Sequence, residues 1–297
     1  MTDTTPIQSN LMGYGFSVLA AICFGCSLVL ARLCYDYGTN PESILVMRFA
    51  VLLVLLLIWN ISRGKSVVLP AKLAGGSLLV GMTYFIGIGS YLSAVAYLPV
   101  SLAVLIFYTF PIVVAIITAG LARRWPHPLQ MVALLVAFAG LVISLDVQLE
   151  GLKPIGLIFA ALASVGIAVN MIWSGYFLRR IPTTVFGFYM SVGTLIISSI
   201  VVLNRGSFEI PQSSEGIWIF IAMLVSFLIG YFSIYNAIRI IGAAPASTIL
   251  NLEPVVTIIF AVVLLGELFN MQQLFGGAVV LIGILMAQWP QLRSRKK

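Results

Sequence analysis

The sequence predicts an all-α integral membrane protein: ten transmembrane helices, arranged as two inverted five-helix repeats around a central cavity. Three observations carry that prediction. The composition cannot clothe a water-soluble fold, ten long apolar runs follow one another along the chain, and the second half repeats the first. Hydrophobic residues fill 61% of the 297 positions and charged residues only 8%, against roughly 45–50% and about 25% in soluble domains. A water-facing surface needs more charge than this; a lipid-facing one does not.

A helix crosses the hydrocarbon core with about 20 mostly apolar residues. Such runs occupy 13–34, 41–61, 71–97, 99–122, 127–146, 152–177, 183–203, 216–240, 243–265 and 271–290. They are helices rather than barrel strands, because stretches such as Val51–Ile58 are apolar on every side. Backbone groups in lipid must also bond within their own segment. Segment 1–12 carries Asp3 and no Lys or Arg, so it lacks the positive leader of a signal peptide. The first run is therefore read as a retained span behind a short cytoplasmic segment.

Orientation follows the basic residues. With the N-terminus inside, the cytoplasmic connections hold Arg63, Lys65, Lys72, Arg123, Arg124, Arg179, Arg180 and Arg239. The basic tail 291–297 adds Arg293, Arg295, Lys296 and Lys297. Outside fall Arg32, Lys153 and Arg205, and Arg48 lies within a span. Both termini are then cytoplasmic, in a plasma (bacterial inner) membrane. The net charge of +7 is no nucleic-acid footprint, since the basic residues flank apolar runs instead of forming a stripe. Cys23 and Cys26 have CxxC spacing, but the chain holds one histidine, His127, and no second cysteine pair. They are read as small buried side chains, and no metal or other cofactor is expected.

Residues 97–144 align with 240–287 without a gap at a shift of 143, which sets Pro111 on Pro254, Gln130 on Gln273 and Gly140 on Gly283. A shift of 141 sets Gly15 and Gly25 on Gly156 and Gly166. The halves are read as 13–147 and 151–290. Five spans per half force the second to enter the membrane inverted. The charges agree, Arg124 matching Glu267 and the basic tail matching Asp146 and Glu150. Inverted repeats are typical of secondary transporters, with the substrate site near the midplane between the halves.

The stretch NAIRIIGAAPASTILNLEPVVTIIFAVVLLGELFNMQQLFGGAVVLIGILM resembles the second repeat of the EamA family, in the drug/metabolite transporter superfamily. MRFAVLLVLLL and YLSAVAYLPVSLAVLIFYTFPIVVAII resemble its first repeat. The likeness covers nearly the whole chain and is greatest to bacterial YddG-type exporters of aromatic and other amino acids. It implies ten helices around a cavity, alternating access by rocking of the halves, and small-molecule substrates. The first repeat departs from the pattern: Phe110 stands where the second has Glu253.

Glu253 falls about 15 Å into span nine at 1.5 Å per residue, where an ionisable group is expensive. It is either a proton-titrated or amine-binding carboxylate, or a structural group reinforcing the break at Pro254. Arg48, seven residues from the outer end of span two, is either an anchor snorkelling to the interface or a counter-charge for a substrate carboxylate. Tyr108 and Asn251 each precede a helix-breaking proline, Pro111 or Pro254, by three residues. As polar groups at midplane they should face protein or water. Gly166, Asn170 and Ser174 share one face of span six, with Trp173 beside it. Tyr84 and Tyr91 share a face of span three, as do Tyr231 and Tyr235 in span eight. These aromatics are read as cavity liners or core, whereas Tyr97 and Trp125 are read as interfacial belt.

The expected activity is secondary transport that exports amino acids, aromatic and other neutral ones. A multidrug or nucleotide-sugar carrier of the same superfamily is the alternative, and an integral-membrane enzyme the different-class one. Against an enzyme or primary pump stand the absence of HExxH, of paired intramembrane aspartates and of a P-loop. No catalytic residue is assigned. The expected partners are a small-molecule substrate and membrane lipid, not nucleic acid; the sequence is silent on oligomeric state.

Overall fold

The computed structural model describes residues 6–95, 97–98, 100–123, 128–145, 153–206, 208–265 and 271–293. Arg124, Trp125, His127, Asp146, Glu150, Glu267 and the end of the basic tail lie outside these. The described residues form twelve helices and no strand. They are α1 (Pro6–Asp36), α2 (Pro41–Ser62), α3 (Ala71–Val95), α4 (Val100–Phe107), α5 (Phe110–Leu121) and α6 (Pro128–Ser144). The second half supplies α7 (Pro154–Leu178), α8 (Thr183–Arg205), α9 (Ser214–Ile241), α10 (Ala243–Leu250), α11 (Glu253–Leu265) and α12 (Met271–Arg293). With α4–α5 and α10–α11 counted as one interrupted run each, these segments coincide with the ten apolar runs. Eight are long and apolar enough to cross a bilayer, and Pro128–Ser144 and Met271–Ala287 are shorter apolar helices. The largest boundary difference is at the start, where α1 takes in residues 6–12 of the expected N-terminal segment.

Local chemistry sets the ends. Asn40 accepts from the Ser43 N–H at 2.8 Å and Pro41 opens α2. Ser213 accepts from the Gly216 N–H at 3.1 Å ahead of α9. α8 stops on Gly206 and α9 on Gly242, at φ +61° and +88°, backbone values that suit glycine.

The long helices pair across the two halves: α1 packs on α9, α7 on α3, α12 on α6 and α2 on α8. Small residues let backbones approach, the usual device where lipid offers no hydrophobic drive between helices. A Cβ on Gly166 would lie 3.0 Å from the Gly87 Cα, and one on Gly140 2.7 Å from the Gly276 carbonyl oxygen. α3 and α8 meet most tightly. Gly81 abuts the Met190 carbonyl, Gly193 abuts the Leu78 carbonyl, and the Thr194 hydroxyl donates to the Gly81 carbonyl at 3.0 Å. Phe49, Leu52, Leu56, Phe186, Met190 and Tyr231 form the centre of the core. Large apolar side chains such as Leu203 and Leu285 face outward, 80% and 69% exposed.

Contacts separate the two ends of the bundle by charge. Gly13 meets Ile240 and Ile241, Gly76 meets Phe177, and Asn60 accepts from Thr184 at 2.9 Å. The start of α1, the end of α2, the start of α3 and the ends of α7 and α9 therefore share one end, with Arg63, Lys65, Lys72, Arg179, Arg180 and Arg239. The opposite end gathers Asp36, Glu42, Glu209 and Glu215, with Arg32 paired to Asp36 at 2.7 Å, around the contacts of Asn40 with Glu209 (3.4 Å) and of Tyr37 with Gly216.

Gly81→Val forces α3 and α8 apart, and its unfolding free energy should fall by about 1–3 kcal/mol or more. Gly15→Ala, with open space where the Cβ goes, should leave it within about 0.5 kcal/mol. Detergent-denaturation midpoints check both.

Candidate functional site

Two helices are interrupted in mid-bundle. α4 ends at Phe107 and α5 begins at Phe110; α10 ends at Leu250 and α11 begins at Glu253. The interruptions, Tyr108–Thr109 and Asn251–Leu252, are 143 residues apart, the register of the sequence repeat. Pro111 and Pro254 are the second residues of the following half-helices, where a missing N–H breaks no bond and the ring blocks continuation from the turn before. The breaks tighten into three-residue turns, Thr109 N–H to Ile106 carbonyl at 3.1 Å and Asn251 N–H to Thr248 carbonyl at 3.3 Å.

The breaks meet. The Tyr108 hydroxyl of the first lies within electrostatic reach of the Glu253 carboxyl of the second. Glu253 opens α11, where the positive end of the half-helix favours its charge, and its carbonyl takes the Thr257 hydroxyl at 2.8 Å. α1 passes close by, since a Cβ on Gly25 would lie 3.1 Å from the Glu253 carbonyl oxygen.

Arg48 enters from α2. Its Nη2 donates to the Ser27 hydroxyl at 2.8 Å and its Nε to the Met223 sulfur at 3.3 Å, and its guanidinium lies 4.9 Å from the Phe227 ring centroid. Ser27 in turn donates to the Met223 carbonyl at 3.1 Å. The side chain therefore turns into the bundle between α1 and α9, which overturns the snorkelling reading. Arg48, Tyr84 and Glu253 lie within electrostatic reach of one another, and Arg48 and Glu253 feel each other's charge without forming a salt bridge.

Aromatic rings wall this region. Tyr91 and Phe107 have centroids 5.2 Å apart, Phe107 and Tyr108 5.4 Å, Phe49 and Tyr84 5.2 Å, and Phe49 and Phe227 5.6 Å. Arg48, Tyr84, Tyr91 and Glu253 are only half-buried although they stand within the bundle. Five candidates thus come together: Arg48, Tyr84, Tyr91, Tyr108 and Glu253.

The others have different places. Asn170 is buried; its amide donates to the Val80 carbonyl at 2.8 Å and accepts from the Tyr235 hydroxyl at 3.3 Å, tying α7 to α3 and α9. Tyr231 is buried against Met190, hydroxyl to sulfur 3.4 Å. The face of Gly166, Asn170 and Ser174 is a helix-packing surface. Trp173 is 45% exposed, in the outward stripe of Ile158, Leu162, Val165 and Tyr176, so it faces away from the bundle centre and is no cavity liner. Asn251 is buried in the second break, and its Oδ1 has no hydrogen-bond partner among the described residues. Ser27, Met223, Phe49 and Phe227 were not anticipated. The register of 143 held a signal for two of these, since it sets Tyr84 on Phe227 and Val80 on Met223. Among the described residues no three of His, Cys, Asp and Glu converge on a metal-sized space.

This architecture is that of a polytopic membrane transporter. The chain belongs to the EamA-like transporter family, whose profile matches it twice, over residues 11–145 and 154–289. It is 24% identical to an uncharacterized transporter, YcbK, of Bacillus subtilis, over 99% of this chain and 98% of that one. It is 23% identical to an S-adenosylmethionine uptake transporter of Rickettsia conorii, over 93% and 92%. A solved crystal structure shares the fold, with a TM-score of 0.78 at 20% identity over 95% of this chain and 98% of that chain.

Asn170→Leu removes two interhelical hydrogen bonds and should lower unfolding free energy by about 1–2 kcal/mol. Trp173→Ala, on the outer face, should leave any transport rate unchanged. Equilibrium unfolding and flux measurements on the same preparations check the pair.

Proposed function

We propose that the chain is a secondary transporter for small solutes with an α-amino-acid head, aromatic and other neutral amino acids among them. It works by alternating access to a midplane cavity between two inverted halves. The observation that carries this reading is a cation and a carboxylate held within mutual reach but unpaired, inside the bundle and beside two helix breaks. A zwitterion leaving water needs both of its charges compensated. Arg48 would take the carboxylate, and Glu253 with Tyr108 the ammonium. The rings of Tyr84, Tyr91 and Phe107 would flank the side chain.

The double match of one family profile and the interruptions in register support two related halves. Five segments per half support their inversion. The charge difference between the bundle ends supports cytoplasmic termini, and bacterial relatives support the inner membrane. S-adenosylmethionine, named in the Rickettsia relative, combines an α-amino-acid head with a flat ring, so the same pairing suits it. The resemblance to YddG-type proteins favours export, and the name of that relative is the opposite sense.

Counterflow in proteoliposomes with labelled phenylalanine, tyrosine, leucine and S-adenosylmethionine should show exchange of at least one. Exchange of sugar nucleotides or cationic drugs with none of these would reject the amino-acid reading. Arg48→Gln should raise the half-saturating concentration about tenfold or more for an amino acid, by loss of a charged hydrogen bond, but not for the matching decarboxylated amine. Glu253→Gln should slow exchange and flatten its pH profile; unchanged rates at every pH remove the carboxyl from the mechanism.

A further inference from the structure

A second site lies away from the helix breaks, at the basic end of the bundle. A cavity of about 550 Å³ opens between the last turns of α5 and α7 and the junction of α9 with α10. Two arginines, Arg179 and Arg180, line it, and no Asp or Glu does. Arg180 is held in place: its guanidinium lies 3.5 Å from the Tyr176 ring centroid, and Nη1 donates to the Tyr176 carbonyl at 2.8 Å. Those contacts fix the fork and leave most of its five donors unspent. Opposite stand Gly242 and Ala243, where α10 starts without a side-chain cap. The first N–H groups of a helix have no partner within it, and Gly242 has no side chain to cover them. Two cations and the positive end of a helix therefore face one space that no acidic side chain lines.

The outer wall is apolar and exposed. Leu121 and Tyr176 border the cavity, 72% and 51% exposed. Tyr176 ends the outward stripe of α7 formed by Ile158, Leu162, Val165 and Trp173. An apolar track on the lipid face thus runs straight into a basic pocket at headgroup level. A free phosphate would use only the pocket, whereas an acyl-bearing phosphate would use both. Basic pockets between helices on the cytoplasmic side bind anionic headgroups in this way.

We propose that the cavity is a binding site for an anionic phospholipid of the inner leaflet. The phosphate sits between Arg179, Arg180 and the start of α10, and an acyl chain lies along the α7 stripe past Trp173. The site is independent of what the protein carries.

The test uses the full chain in a non-ionic detergent, titrated with dioctanoyl phosphatidylglycerol, dioctanoyl phosphatidylcholine or glycerol 1-phosphate while thermal unfolding is followed. Phosphatidylglycerol should raise the melting temperature by about 4 °C or more at saturation, and the other two should not. Arg179→Gln with Arg180→Gln, both exposed positions, should weaken the half-saturating concentration at least tenfold. Gly175→Phe should do the same with both charges intact, because it fills the cavity floor where a Cβ meets only Ile238 at 3.5 Å. An equal shift from phosphatidylcholine, or from glycerol 1-phosphate alone, overturns the proposal. So does an undiminished phosphatidylglycerol response in both variants.

Discussion

A helix in lipid satisfies its own backbone, and any interruption strands polar groups that the solvent cannot reach. The rest of this structure depends on how that constraint is met at two points. Pro111 and Pro254 stop the hydrogen-bond ladder twice, and both stops lie in mid-bundle, shielded by other helices. Thr109 spans the first, its hydroxyl 2.6 Å from the Ile106 carbonyl and 2.8 Å from the Ser164 hydroxyl of α7. At the second, Thr257 covers the Glu253 carbonyl and α1 presents Gly25 where any larger residue would collide. The pairing of α1 with α9 and of α7 with α3 is the packing that encloses both interruptions.

Once enclosed, a break supplies what an intact helix lacks: half-helix ends with uncancelled dipoles and side chains aimed along the bundle. Glu253 occupies such an end. The start of α11 and the Tyr108 hydroxyl both act on its carboxyl. Arg48 is held by different means, a hydroxyl, a sulfur and an aromatic face, none of which neutralises it. Under the proposed function, two opposite charges held separately would receive the two ends of a dipolar guest, which a direct salt bridge between them would not.

Much of this was legible in the sequence because the bilayer restricts the possibilities. Segment lengths follow from its thickness, and the breaks from two prolines in register. What was not legible is orientation about each helix axis. Tyr231 and Tyr235 do share a face, but periodicity cannot say that it packs on Met190 and Asn170. Trp173, next to Ser174 in sequence, is about a hundred degrees around the helix from it, which is enough to face outward. For Arg48 an outward anchor and an inward counter-charge both stayed open, because its holders Ser27 and Met223 lie 21 and 175 residues away. Residues 6–12 are polar enough to end a span but not to end a helix, so α1 runs on past the apolar stretch.

The halves match in sequence yet are not packed alike, and this bears on how the proposed carrier would open. α3 and α8 touch backbone to backbone through Gly81 and Gly193. At shifts of 143 and 142 the corresponding residues are Leu224 of α9 and Val51 of α2, and α9 contacts α2 only sparsely. Met190, buried under the Tyr231 hydroxyl, corresponds to Arg48. The seal toward the basic end is thus glycine-tight and apolar, whereas its counterpart toward the acidic end holds a cation on a hydroxyl and a ring. Val51 and Leu224 carry side chains where Gly193 and Gly81 carry none. On the proposed reading, a solute entering from the acidic end would meet Arg48 before Glu253, its carboxylate ahead of its amine.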